Sequence, residues 1–267
     1  MRAYLSLGKI RFLHGLQYRT AALFGIITQF LWGLMEILMF QAFYQADPQA
    51  FPMEFSTLVS YIWLQQAFLA LYAPWIWDQE LFACIANGDI AYSLCRPMNL
   101  YGHWLVSGMA QRLSKAVLRC VPVLLIAYLL PEPYRMTLPC DLPHFLLFLF
   151  SFCLAFLVLM GVQMLVYIAA FYLINVQGLT MFYTSTSEFL SGSILPLPFL
   201  PKGFQQVIGI LPFASMQNIP FRIYGGDLTM AAIPRSLFLQ GLWVILLFAI
   251  GLFLMKKVMH KICIQGG

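Results

Sequence analysis

The stretch DQELFACIANGDIAYSLCRPMNLYGH, residues 78–103, lies between long apolar segments of the chain. It contains four of the few charged residues in a sequence that is only 9% charged: Asp78, Glu80, Asp89 and Arg96. Charged side chains are costly in hydrocarbon, so this stretch is expected to lie outside a membrane that its neighbours cross. A polar segment between two transmembrane helices is a common place for a membrane protein to contact soluble partners. We therefore expect residues 78–103 to contact a soluble protein.

The composition of the 267-residue chain is that of an integral membrane protein. Hydrophobic residues make up 61% of it and the mean hydropathy is +0.81, which is more apolar than a soluble core requires. The apolar runs are continuous rather than alternating, so helices rather than barrel strands are expected to span. The six cysteines form no CxxC pair, which argues against a zinc site or a disulfide framework. Nucleic acid is not an expected partner, because no basic patch is interleaved with aromatic residues.

Hydropathy predicts an all-α fold with six transmembrane helices. The expected spans are residues 20–44, 56–77, 103–130, 144–174, 176–195 and 235–255. Residues 1–19 predict either a helix lying at the membrane interface or a basic flank without fixed structure. Residues 196–234 are interrupted by prolines and glycines yet remain apolar, which predicts a segment that re-enters the outer half of the bundle.

The distribution of basic residues predicts the orientation. Six spans place both termini on one side, and eleven of the fifteen Lys and Arg residues fall on that side. Because cytoplasmic flanks are enriched in Lys and Arg, both termini and the 78–103 stretch are expected in the cytoplasm. Arg112, Lys115 and Arg119 recur at helical spacing and predict one basic face near the membrane surface.

Two spans contain an acidic residue together with a stripe of small or polar side chains. In the first span the stripe consists of Gly25, Gln29, Gly33 and Glu36. In the fifth span Glu188 lies beside Thr180, Thr184, Ser187 and Ser191. Such stripes either pack helices together or line a pathway, and their spacing does not choose between these roles. Both roles turn the stripes away from lipid.

The first part of the opening stretch predicts a short helix, because Asn87-Gly88 is a natural C-cap. The residues expected to contact another protein are Asp78, Glu80, Leu81, Phe82, Ile85, Asp89 and Arg96. Acids at the start of the helix and apolar side chains available for insertion suit docking into a groove of a partner. An ordinary solvated loop is the alternative.

Chemistry on the chain itself is not expected. No GxxxxGK[ST] motif occurs, so ATP hydrolysis by a P-loop would need a second polypeptide. The four histidines belong to neither HxxxH nor HExxH patterns. We therefore expect no catalytic residue, no metal and no cofactor on this chain.

Two stretches resemble the ABC-2 type transporter permeases, in particular the six-span branch of ABC-2 family transporter proteins. NGDIAYSLCRP at 87–97 is similar to the G-(E/D)-I-A-x-x-L-x-R-P element of that family, with Cys95 in place of an aliphatic residue. The second stretch is similar to the family's segment near the outer face, and comprises FLSGSILP at 189–196, Phe199, Pro201, LPF at 211–213 and Pro220.

The resemblance implies a single permease domain that works as an exporter in the cell membrane. Two permease chains, identical or homologous, would form the pathway, and two ATP-binding subunits would bind ATP-Mg and dock below. Residues 78–102 would then be the cytoplasmic coupling region, and 196–234 would close the outer end. Two alternatives stay open: a membrane enzyme acting on a lipid-linked substrate, and a channel or ion-coupled secondary transporter that uses Glu188.

Overall fold

The computed structural model of the protein describes residues 2–95, 97–173 and 175–260. These residues form helices and connecting turns, and no strand occurs among them. Their α-helices are α1 (Arg2–Gly15), α2 (Arg19–Ala46), α3 (Phe55–Ala67), α4 (Leu69–Tyr72), α5 (Gln79–Asn87), α6 (Ile90–Leu94), α7 (Leu100–Leu129), α8 (Leu142–Ala169), α9 (Gln177–Leu190), α10 (Lys202–Ile210), α11 (Asn218–Tyr224) and α12 (Ile233–Met259).

Three helices of the described part are long and apolar enough to cross a membrane, by length and composition. They are α2, α8 with the 3₁₀ turn that follows it, and α12, with 28, 31 and 27 residues. At 1.5 Å per residue each exceeds the roughly 30 Å of bilayer hydrocarbon. Large apolar side chains of α2, such as Phe24, Trp32 and Phe43, are exposed, which suits a lipid or protein environment rather than water.

The other three predicted spans correspond to helices that differ from a simple apolar rod. The second is divided into α3 and α4 at Phe68. The third is the 30-residue α7, which carries Arg112, Lys115 and Arg119. The fifth is α9, whose 14 residues extend about 21 Å, short of the hydrocarbon thickness. Six spans therefore stay a prediction.

The centre of the bundle is α3, in which every residue from Leu58 to Ala67 is buried. Its Trp63 and Tyr61 are among the largest fully buried side chains, and Tyr61 packs edge-on against Phe221 of α11 with ring centroids 5.5 Å apart. A helix that is surrounded on all sides needs no amphipathic stripe. This explains why buried residues occur on every side of α3, whereas large apolar side chains of α2 are exposed at the surface.

The N-terminal segment is helical, which favours the helix over an unstructured basic flank. α1 runs alongside the first half of α7: the Tyr4 hydroxyl accepts a hydrogen bond from the Asn99 amide at 2.9 Å. Farther along, Gly8 lies against Val106 and Gly15 against Ser114. α1 is thus packed on α7, and its placement at a membrane interface stays a prediction.

Residues 196–232 are broken into short helices and turns, and this segment contains many prolines and glycines. A 3₁₀ turn at Leu197–Phe199 and α10 precede α11, most of whose residues are buried against α8 and α3. This segment therefore belongs to the bundle. That it re-enters a membrane from the outer face stays a prediction.

Candidate functional site

A groove of about 710 Å³ lies between α2, α3 and α9. We call it the polar groove, because two carboxylates and three amide side chains line it among apolar residues. Its volume falls within the 300–1,000 Å³ that is typical of small-molecule sites. The lining residues are Thr28, Gln29, Trp32, Met35, Glu36 and Met39 of α2, Gln65 and Gln66 of α3, and Leu69, Trp75, Glu188, Ser193 and Ile194.

Close packing of α2 on α3 forms one wall of the groove. Gly33 is buried, and a Cβ atom at this position would lie only 2.9 Å from the ring of Trp63 and 3.1 Å from Gln66 Cγ. The absence of a side chain lets the two helices approach closely. This approach places Gln66 of α3 opposite Glu36 of α2.

The polar groups of the groove have unused hydrogen-bonding capacity. Glu36 accepts one hydrogen bond, from Gln66 Nε2 at 3.4 Å, and its buried Oε1 has no partner. Both amide atoms of Gln29 are unpartnered, as are the Oε1 atoms of Gln65 and Gln66. The three glutamines are only 2%, 5% and 6% exposed. Leaving such groups unpaired is costly unless a ligand or water meets them.

The two carboxylates of the groove take part in no ion pair among the described residues. The ion pairs found among the described residues join Glu132 to Arg135, Asp141 to His144 and Arg222 to Asp227, and none includes a carboxylate of the groove. Glu36 and Glu188 thus face the same space without a cationic side chain beside them in the described part of the chain.

The structure separates the predicted pathway residues into three groups. Gln29, Glu36 and Glu188 meet in the polar groove. Ser187 and Ser191 are buried on the packing side of α9, with the Ser187 hydroxyl 3.9 Å from Met216 Sδ. This arrangement favours helix packing for the serines, and for Glu188 it favours the lining of a cavity.

The two threonines of the α9 stripe lie outside the groove. Thr184 is half-buried. Thr180 lines a separate cleft of about 510 Å³ between the start of α9 and α5, and its hydroxyl donates to the Gln177 carbonyl at 2.9 Å. Neither is among the residues that line the polar groove.

Sequence reasoning missed the contributions of α3 and of the tryptophans to the groove. Gln65 and Gln66 are adjacent amides within an otherwise apolar run, which is a signal that could have identified them. Trp32 and Trp75 carry no such signal, because aromatic residues are common throughout the chain.

The short helix predicted in the opening stretch is confirmed as α5. The Asp78 carboxylate accepts a hydrogen bond from the Leu81 amide at 3.1 Å and caps the start of the helix. Gly88 ends it in the left-handed conformation, with φ of 78°. Asp78 is thereby occupied within its own helix, and an ordinary loop is not what forms here.

The apolar side chains of α5 pack against the bundle. Leu81 is buried, and Phe82 contacts Tyr167 and Trp77 with ring centroids 5.1 and 5.9 Å apart. Ile85 packs on the same cluster. Their contacts within the bundle are thus established, and the insertion of Phe82 and Ile85 into a partner stays a prediction.

The outward face of α5 is polar or small. It includes the exposed residues Glu80, Ala83, Ala86 and Asn87, and Asp89 is exposed just beyond it. Arg96, predicted to contact the same partner, lies outside the described residues. A docking surface on this part of the chain would consist of these exposed residues and the neighbouring cleft at the start of α9.

A buried arginine fixes the segment that leads into α5. Arg112 of α7 is 2% exposed and donates to the carbonyls of Leu71 and Ala73 at 2.8 and 2.9 Å, and of Ile76 at 2.8 Å. Its Nε atom donates to Gln163 Oε1 at 3.1 Å. The first two carbonyls lie at and just after the end of α4, where a cation satisfies groups that the helix leaves unpaired. Arg112 is thus not part of a surface basic face.

The hydrogen bonds continue from Arg112 to the first residue of the α5 cap. Gln163 Nε2 donates to the Tyr167 hydroxyl at 2.9 Å, and that hydroxyl accepts from the Asp78 amide at 3.0 Å. We call these four residues the Arg112 network. It joins α7, α8 and the start of α5, so a displacement of α5 would be transmitted to two long helices.

Comparison with protein families gives a match that covers most of the chain. The family model described as ABC-2 family transporter protein matches residues 30–266. The matched region includes α5, the Arg112 network and nearly all residues of the polar groove, and it begins just after Gln29. No match was found among curated proteins.

Proposed function

The chain belongs to the ABC-2 family of transporter proteins, and from that premise we propose that it is the transmembrane permease subunit of an ATP-binding cassette exporter in the cell membrane. Two permease chains form the translocation pathway, and a separate ATPase, in two copies, supplies the energy. Both termini and α5 lie in the cytoplasm, with six spans between them. The chain has no P-loop of its own, so the ATP-Mg is bound by the partner.

The observation that carries the proposal is the construction of α5. This helix presents an exposed polar face, and its opposite face is packed on the bundle. The Arg112 network ties its first turn to α7 and α8. A short helix that is exposed on one side and rigidly attached on the other is suited to receive a push from a soluble subunit and to pass it to the membrane helices.

ATP binding would then act on the bundle through α5. When the two ATPases close, α5 moves with them, and the network carries the displacement to α7 and α8. Alternating access follows from the resulting tilt of these helices relative to α2, α3 and α9, which surround the polar groove.

Co-purification tests the proposal. The chain, tagged at the N-terminus and solubilised from its native membranes in a mild detergent, is expected to bring down a P-loop ATPase in a stoichiometric amount. A chain in which Glu80 is replaced by Lys serves as a matched variant that retains the fold and weakens the complex. Reproducible purification of the chain without any ATPase would refute the permease assignment.

An ion-coupled transporter is the second candidate, and the two unpaired carboxylates of the groove favour it. Such a transporter would move its substrate in response to a pH gradient in vesicles that contain this chain alone. The exporter predicts no flux under those conditions and ATP-dependent flux once the ATPase is added. The two outcomes separate the candidates.

A further inference from the structure

The polar groove has the properties of a binding site whose ligand is not a part of the chain. Glu36 Oε1, both amide atoms of Gln29, and the Oε1 atoms of Gln65 and Gln66 are buried at its walls without a hydrogen-bond partner. A packing interface would leave such atoms paired or replace them with apolar groups. All four side chains line one cavity, which favours a ligand that meets them there.

The acidic residues of the groove indicate that the ligand carries a positive charge. Glu36 and Glu188 both line it, and no Lys, Arg or His is among its lining residues. A carboxylate at this depth is costly when it is ionised and unpaired, and a bound cation offsets that cost. The five unpaired acceptor or amide atoms add no positive charge, so an anionic ligand would find no counter-ion.

The size and the walls of the groove indicate an organic cation rather than a metal ion. Glu36 and Glu188 are not part of any group of three metal-ligating His, Cys, Asp or Glu side chains among the described residues. The cavity of about 710 Å³ is far larger than an ion needs. Trp32 and Trp75 offer aromatic faces on which a cation is stabilised, and Met35, Met39 and Leu69 offer apolar surface.

We propose that the polar groove binds a hydrophobic organic cation, with Glu36 as its counter-ion and Glu188 as a second acidic wall. The aromatic and thioether side chains contact the apolar part of the ligand. The free amide and carboxylate oxygens accept hydrogen bonds from its N–H groups where it has them. That this ligand is also the cargo rests on the proposed function, whereas its binding does not.

The test uses a pair of ions of nearly identical shape and opposite charge, tetraphenylphosphonium and tetraphenylborate. The purified full-length chain is placed in nanodiscs of zwitterionic lipid without any ATPase, and saturable binding is measured after subtraction of protein-free nanodiscs. The phosphonium is expected to bind saturably and to quench tryptophan fluorescence. The borate is expected to show no saturable binding. Equal binding of both ions, or of neither, would overturn the proposal.

Matched variants locate the site. Glu36→Gln is expected to weaken phosphonium binding about tenfold, which corresponds to about 1.4 kcal/mol. Glu188→Gln weakens it less, and both substitutions together weaken it further. Glu54→Gln removes an exposed carboxylate outside the groove and leaves the affinity unchanged. If Glu36→Gln fails to fold, the Glu188→Gln variant and quenching in Trp32→Phe carry the same test, and unchanged affinity in both overturns the proposal.

The outcomes for this site and for the proposed function are distinguishable. Phosphonium binding that depends on Glu36, in a chain that never co-purifies with an ATPase, supports the site and refutes the exporter. An ATPase complex without selective phosphonium binding supports the exporter and refutes the cation site.

Discussion

Replacement of Arg112 by Met tests whether the Arg112 network stabilises the bundle. Two effects oppose each other in this substitution. The wild-type guanidinium donates four hydrogen bonds within 3.1 Å. The variant leaves the Leu71 carbonyl and the Gln163 amide oxygen unpaired, whereas the carbonyls of Ala73 and Ile76 keep hydrogen bonds from the Ile76 amide and from Gln163 Nε2. Each unsatisfied buried group costs about 1–3 kcal/mol. Against this, the variant no longer pays the desolvation cost of a buried guanidinium, which recovers on the order of several kcal/mol.

The loss of hydrogen bonds is expected to outweigh the gain from removing a buried charge, because each hydrogen bond of the Arg112 guanidinium ends on an oxygen atom. We expect a net loss of about 2 kcal/mol, and a fall in melting temperature of roughly 4–8 °C at 2–4 °C per kcal/mol. Tryptophan fluorescence during heating of the purified chain in detergent measures this shift.

Lys115 supplies the matched control, because it lies on the same helix and is exposed. Lys115→Met removes the same charge and is expected to change the melting temperature by no more than about 2 °C, as surface substitutions do. If Arg112→Met melts within the range of Lys115→Met, the reasoning about the buried hydrogen bonds is wrong.

Three further predictions concern helix packing, pH and the start of α5. Gly33→Ala brings a Cβ atom against the ring of Trp63 and is expected to destabilise the chain by about 1–2 kcal/mol. Gly241→Ala serves as the control, because its Cβ atom meets open space and the substitution is expected to gain up to about 1 kcal/mol of helix stability. Equal melting temperatures for the two variants would contradict this prediction. Hydrogen bonds from His144 hold the pKa of Asp141 below its usual range. The ionised Asp141 therefore stabilises the fold fully above the unfolded pKa of roughly 3.9, and this contribution is lost as pH falls through the lower folded pKa. An Asp141 resonance that titrates at or above the ordinary value would refute this prediction. Tyr167→Phe removes the hydroxyl that accepts a hydrogen bond from the Asp78 amide. This variant is expected to speed amide hydrogen exchange in α5 without altering exchange in α12. Unchanged exchange in α5 would show that the Arg112 network does not hold α5 in place.

The sequence predicted those features that depend on local chemistry. α5 ends where Asn87-Gly88 indicates, since a glycine in the left-handed conformation acts on its own helix. The breaks in residues 196–234 follow from prolines and glycines in the same way. The family was identified from two short patterns, and the match over residues 30–266 confirms it.

The features that depend on tertiary packing could not be predicted in the same way. The 3.6-residue period of α7 places Arg112 on one stripe with Lys115 and Arg119, yet only the position of the α4 carbonyls decides that Arg112 is buried. The period likewise places Glu188 beside the stripe that contains Ser187, and it does not indicate that Ser187 is turned to the core and Glu188 to the groove. Such choices are made by neighbouring helices that are distant in sequence.

The direct test of the central claim is photo-crosslinking from α5 in native membranes. A photoreactive amino acid at Glu80 is expected to crosslink the chain to a P-loop ATPase, and the crosslink should change in yield when a non-hydrolysable ATP analogue is added. The same amino acid at Glu54, which is exposed on the predicted opposite side of the membrane, is expected to give no such product. Absence of an ATPase crosslink from Glu80 and from the exposed Ala83, or an equal yield from Glu54, would contradict the assignment of α5 as the helix that receives force from the ATPase.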